Sequence, residues 1–199
     1  MGEAKRRANE IAALKNRVDA WRSGLTESER VILELAERID ARLVRGRSFT
    51  EGCYHLAFFM TKYLAIRGIE VVPVIGWVND GTWPGVTSHA WIEYQGKVTD
   101  ASLTLTSYPE SQPSGALLVH DFIVRPGSAA YVYYDNKASE VASALQWISS
   151  QPQWADLQAF KEVQHASMLA IAQDERRIDE YLASAPLGGR YEDLERIVC

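Results

Sequence analysis

Between residues 51 and 100 the hydrophobic pattern changes period once, and this limits the chain to a mixed fold. After Cys53 the run Leu56-Ala57-Phe58-Phe59-Met60 is continuously apolar, which suits a buried helix over residues 51–67, with Thr50 placed to cap its start. The pattern then shortens to strands at 70–78, 88–94 and 97–100. Ala90 to Tyr94 is rich in aromatic and β-branched residues, Gln95-Gly96 reads as a tight turn, and Lys97 to Thr99 returns. A buried helix beside an antiparallel hairpin is an α+β arrangement.

Three residues with complementary chemistry mark the joints of this pattern. Cys53 opens the helix, His89 opens the first hairpin strand, and Asp100 closes the second. A thiol in the first helical turn feels the positive end of the dipole and unpaired N–H groups, both of which favour the thiolate. Gly52 beside it has no Cβ, so a substrate backbone has room to approach. A hairpin brings its far ends together, which places the Asp100 carboxylate within reach of the His89 imidazole and fixes its tautomer. Nucleophile, base and orienting acid together can attack a carbonyl carbon and hold a thioester. The bland reading is a buried core cysteine and a hairpin with one exposed histidine.

These residues resemble a known family. Gly52-Cys53-Tyr54, the stretch Tyr63 to Val78 with its Gly68-Ile69 joint into a strand, Ser88-His89-Ala90-Trp91-Ile92-Glu93, and Gly96-Lys97-Val98-Thr99-Asp100 are similar to the transglutaminase-like core of the papain-like cysteine protease superfamily. The resemblance covers about residues 48–102. It implies a Cys-bearing helix packed on an antiparallel sheet, with Cys53 as nucleophile, His89 as general base and acid, and Asp100 as the orienting acid. The family holds transglutaminases, peptidases, peptide N-glycanases and leader peptidases, and also members that have lost catalysis. Two functions are therefore expected from different classes. One is an intracellular cysteine-dependent hydrolase or acyltransferase acting on an amide or thioester. The other is a degenerate transglutaminase-like module that binds protein.

Papain-type enzymes place a glutamine shortly before the cysteine for the oxyanion hole, and Arg45 to Glu51 contains neither glutamine nor asparagine. The Cys53 N–H remains one donor, and the indole of Trp77 or Trp83, or a backbone group, is a candidate for the second. Trp77, Trp83 and Tyr108 are the candidate substrate-binding residues. Trp83 lies in the turn-rich loop 79–85 just before His89, and Tyr108 opens the loop 108–115 after Asp100. Glu51 next to the thiol opposes thiolate formation unless it points away.

Other chemistries find little support. Cys53, His55, His89 and Asp100 are a poor zinc set, because Cys-x-His at one helix start points its side chains apart. His120 and Asp121, read as strand neighbours, face opposite ways and make a poor base pair. No phosphate-cradling glycine loop or dinucleotide fingerprint occurs, so no metal and no cofactor is expected. The net charge of −5 disfavours nucleic acid as a partner, leaving a peptide, protein or small amide or amine. No stretch approaches the length of a membrane span, and no secretory, myristoylation or prenylation signal is read at the ends. With only Cys53 and Cys199 available, a structural disulfide would consume the candidate nucleophile, so a reducing, cytoplasmic setting is expected.

Along the chain the organisation is an N-terminal helical segment (1–46), the catalytic core (47–135) and a C-terminal helical annex (136–199), together one compact domain. Ile11, Leu14, Val18 and Trp21 recur at helical spacing over residues 3–21, with Lys5-Arg6-Arg7 as a solvated face. Thr26 and Glu29 form a capping-box signature before Val31, Leu33, Leu35, Ile39 and Leu43. Short strands are expected at Leu117–Val119, Phe122–Val124 and Tyr131–Tyr134. Helix runs from Lys137 to Ser184, divided at Pro152, with a short final turn at Tyr191–Val198. Trp154, Leu157, Phe160 and Val163 recur every three residues as an apolar face expected to pack on the core, with His165 on the polar face.

Overall fold

The computed structural model describes residues 2–136 and 138–199. Lys137, the expected start of the annex helix, lies outside the described residues, as do the side chains of Lys5, Arg7, Ile11 and Leu14. Helix α1 (Gly2–Ser23) leads through Gly24 into α2 (Glu27–Arg38). The capping box forms. Thr26 Oγ1 accepts from the Glu29 N–H at 3.3 Å, and a Glu29 carboxylate oxygen accepts from the Thr26 N–H at 2.9 Å. Such caps are worth about 1 kcal/mol. The same carboxylate meets Lys97 Nζ, tying the helix to the hairpin.

Beyond α2 the chain widens into a π-helical turn, Ile39–Val44, and closes with α3 (Arg45–Arg47). The turn buries Asp40, and its neighbours neutralise it. Arg45 and Arg125 form ion pairs with Asp40, and Thr104 Oγ1 donates to it at 2.6 Å. A buried carboxylate without such partners would be strongly destabilising.

Helix α4 (Cys53–Ala65) buries Tyr54, the run Leu56 to Met60, Tyr63 and Leu64, leaving His55, Thr61 and Lys62 half-buried. It packs on the antiparallel sheet of β1 (Val72–Asn79), β2 (Thr87–Tyr94), β3 (Lys97–Thr99) and β6 (Val132–Tyr134), in the order β3-β2-β1-β6. Asp100 continues past β3 by exchanging two backbone hydrogen bonds with Leu118, which carries the pairing on to β4 (Leu117–Val119) and β5 (Phe122–Arg125). His120 and Asp121 are the two turn residues of that second hairpin, both at positive φ, rather than strand neighbours.

Four more helices follow: α5 (Ser139–Ser149), α6 (Ala155–Ala172), α7 (Glu175–Ser184) and α8 (Tyr191–Val198). Ile178, Leu182, Leu194 and Val198 join one core with Ile32, Leu35, Phe58, Phe59, Ile75 and Ile92. The chain is thus α+β, with its terminal helices built into the same core as the sheet.

Helix α6 departs from the expected orientation. Its stripe of Trp154, Leu157, Phe160 and Val163 faces solvent, with Phe160 63% and Val163 72% exposed. Gln158 and His165 are instead its buried residues, and the helix packs on β1 and β2. The partner surface there holds polar side chains, so hydrophobic periodicity picked the wrong face. Among the described residues no helix is long and apolar enough to cross a membrane.

Candidate active site

Cys53 is the first residue of α4 and the half-buried member of the site. Gly52 precedes it as the N-cap, and no side chain caps the helix. Thr50 is not the cap: its hydroxyl lies 2.6 Å from the Ser107 hydroxyl instead, linking the approach to Cys53 with the loop after Asp100. Nor is the space at Gly52 open to a substrate backbone. A Cβ there would sit 2.2 Å from the Phe49 ring, so the glycine admits an aromatic side chain of the protein itself. Glu51 is exposed and stands at φ 59.

His89 lies on β2 opposite Gly76, with its imidazole buried. Gly76 is required by crowding, since a Cβ would meet the Trp91 ring at 2.4 Å and the Tyr134 carbonyl at 2.5 Å. His89 Nε2 is 2.7 Å from Asp100 Oδ2, and Cys53 is near enough to act on the charge of the same ring. The structure therefore brings Cys53, His89 and Asp100 together. With Nε2 committed to Asp100, Nδ1 is the nitrogen left for the thiol.

Asp100 is buried and held by four donors. They are His89 Nε2, the Tyr133 hydroxyl at 2.9 Å, and the Ser102 N–H and hydroxyl, each at 2.7 Å. Burial alone would raise its carboxyl, but the His89 charge and these hydrogen bonds outweigh it and hold the pKa below the usual range. Burial would likewise lower the His89 imidazole. The Asp100 charge, and then Cys53, overcome it and hold the ring above its ordinary value, so the pair is an imidazolium facing a carboxylate. Trp91 stacks 6.3 Å from the imidazole, and the Tyr133 ring meets Trp91 edge-on at 5.2 Å. These rings wall one side of the ion pair. A cavity of about 10 Å³ lies between Cys53, Trp91, Asp100 and Ser102, room for one water-sized group.

The expected substrate residues fare differently. The Trp77 indole N–H donates to Asn136 Oδ1 at 2.9 Å and its ring stacks on His165, so it is not an oxyanion donor. Trp83 packs over Gly85 and edge-on to Trp147, and its carbonyl accepts from Asn79. Tyr108 is 65% exposed at the start of its loop, one residue from the Ser107–Thr50 contact. His55 pairs with the annex: its Nδ1 lies 2.9 Å from the Tyr181 hydroxyl. Burial, and then the charge of Cys53, raise the Tyr181 phenol. Among the described residues no cluster of His, Cys, Asp and Glu is built to hold a metal.

Several site residues carry no obvious sequence signal. Ser102 does: an Asp followed two residues later by Ser is the pattern of a side chain bonding back to a turn. Tyr133 sits in an aromatic alternation that reads as a plain sheet face. Tyr54, Ser88 and His165 meet through contacts distant in sequence. No family model, no curated protein and no solved structure matches this chain.

Proposed function

We propose that the chain is a cysteine-dependent hydrolase or acyltransferase of transglutaminase-like, papain-like architecture, acting on an amide or thioester of a peptide, protein or small molecule in a reducing compartment. One observation carries the reading: a buried imidazole bonded to a carboxylate, with the half-buried Cys53 at a helix N-terminus near enough to act on the same ring. A buried ion pair is weak evidence of a structural role, because the cost of desolvating both charges offsets much of their attraction.

In the proposed reaction Cys53 Sγ donates its electron pair to the substrate carbonyl carbon and a C–S bond forms. The carbonyl oxygen takes up the negative charge against the Cys53 N–H, which lies at the open end of α4. His89 gives its proton to the leaving nitrogen or sulfur as that bond breaks, leaving a thioester. The neutral imidazole then takes a proton from water or an amine, which attacks the thioester and frees Cys53. Asp100 stays ionised throughout and holds the ring in the orientation that turns Nδ1 toward sulfur.

The test pairs intact-mass detection of a Cys53 adduct, using a peptide vinyl sulfone, with thermal melts of wild type and Cys53→Ala. The proposal expects an adduct on wild type, none on Cys53→Ala, and an unchanged or higher melting temperature for the variant. Absence of an adduct together with a loss of about 1 kcal/mol in Cys53→Ala would assign Cys53 to the core and the chain to a degenerate, protein-binding module.

A further inference from the structure

A hydrogen-bonded chain links the annex to both halves of the Cys53–His89 pair. Ser88 precedes His89 on β2, and Tyr54 follows Cys53 on α4. The Tyr54 and Ser88 hydroxyls are 2.7 Å apart, and Ser88 Oγ is 2.5 Å from Nδ1 of His165 on α6. His165 Nε2 is in turn 2.6 Å from Asn136 Oδ1.

The proton positions follow from the far end. Asn136 Nδ2 donates to the Ile75 carbonyl at 2.7 Å, which fixes the amide and leaves Oδ1 as a pure acceptor. It therefore receives both the Trp77 indole N–H and the His165 Nε2–H. The Trp77 ring lies flat on His165, with centroids 4.3 Å apart and planes 15° apart. No carboxylate is bonded to this imidazole, and burial pushes it down to about 4, so it is neutral with its lone pair on Nδ1. Ser88 must then donate to His165, and Tyr54 must donate to Ser88. The chain has one direction, from Tyr54 through Ser88 and His165 to Asn136.

None of these atoms bonds to the His89 ring or the Asp100 carboxylate. What they join is the N-terminus of α4 to the start of β2, the two elements whose separation sets the sulfur–imidazole distance. We propose that Ser88 and His165 are positioning residues, through which the C-terminal helices hold Cys53 against His89. Because each link has a fixed donor and acceptor, losing one hydroxyl leaves its neighbour buried and unsatisfied, and the helix start is freed to shift. The inference rests on the thiol–imidazole reading above.

The test is the rate of Cys53 alkylation by iodoacetamide in the full chain, read by mass spectrometry with Cys199 as internal reference. Wild type, His89→Ala, Ser88→Ala, Ser88→Thr and Tyr54→Phe are compared, with helical content and melting checked for each. Ser88→Ala should slow labelling roughly tenfold or more, because small misplacements of reacting groups are costly in rate. Ser88→Thr keeps the hydroxyl on a β-branched residue suited to a strand and should restore the rate. Tyr54→Phe removes one oxygen and carries the test if Ser88→Ala fails to fold. Wild-type rates in Ser88→Ala and Tyr54→Phe overturn the proposal while His89→Ala remains slow. A Ser88→Thr rate no better than Ser88→Ala overturns it too, because packing rather than the hydroxyl would then matter. If His89→Ala labels as fast as wild type, the catalytic reading itself falls, and the positioning role with it.

Discussion

His89 and His165 are both buried and sit one residue apart through Ser88, yet their rings differ in charge. Burial penalises the imidazolium in both. His89 faces Asp100, itself kept ionised by four donors, and is held protonated. His165 faces a hydroxyl, an amide and an indole ring, and is held neutral. Burial alone therefore does not decide what a histidine can do here. The charge of the first neighbour does, and in the reading proposed above one ring moves protons while the other fixes geometry.

Asp100→Asn should break the comparison most severely. Without the carboxylate, only Cys53 is left to offset burial at His89, and its ring should give up its proton at lower pH, shifting toward the neutral state of His165. Turnover, or the rate of adduct formation at Cys53, should fall roughly a hundredfold to ten-thousandfold. The fold should persist, because the Asp100 backbone keeps both hydrogen bonds to Leu118. An unchanged rate would remove Asp100 from the mechanism. Tyr133→Phe should act through the same carboxylate but more mildly. It deletes one donor of four, so the adduct rate should fall by up to roughly tenfold, the worth of one charge-assisted hydrogen bond. A loss as large as that of Asp100→Asn would mean the phenol acts on something other than Asp100.

The same contrast explains what could be read before the structure was known. The Cys53 helix and the 88–100 hairpin are local patterns, and a hairpin's ends must meet, so the His89–Asp100 pair follows from period and turn alone. The capping box of Thr26 and Glu29 is local too. By contrast, the His165 network joins β2 to a helix 77 residues later, and nothing in the spacing announces it. Helix α6 misleads for the same reason. Its apolar stripe suggests the buried face, but the surface it packs against offers Ser88, Trp77 and Asn136, which select His165. Phe49 filling the space at Gly52, and the π-helical turn that buries Asp40, likewise answer to packing between distant segments.

The smallest effect expected is one of stability against pH, and it isolates the neutral ring. His55, His120 and His165 all have folded-state pKa values lowered by burial from 6.5, the last to about 4. As pH falls below 6.5 the unfolded chain takes up protons that these rings refuse, so stability declines until the folded values are reached. His89 behaves oppositely. Its raised pKa gives stability that is complete below 6.5 and lost only as pH rises through its folded value, so it contributes no slope in this window. The lowered pKa of Asp100 acts only below about 4, as pH falls from 3.8 toward its folded value. Urea midpoints at pH 6.5 and at pH 5 therefore report the neutral histidines. The wild-type midpoint should drop between the two, and that of His165→Gln should drop less, because one of three proton-refusing groups is gone. Comparing each protein with itself at two pH values cancels whatever the substitution costs in packing. Equal drops would show that the His165 ring is not held neutral in the folded protein, and the contrast with His89 would collapse.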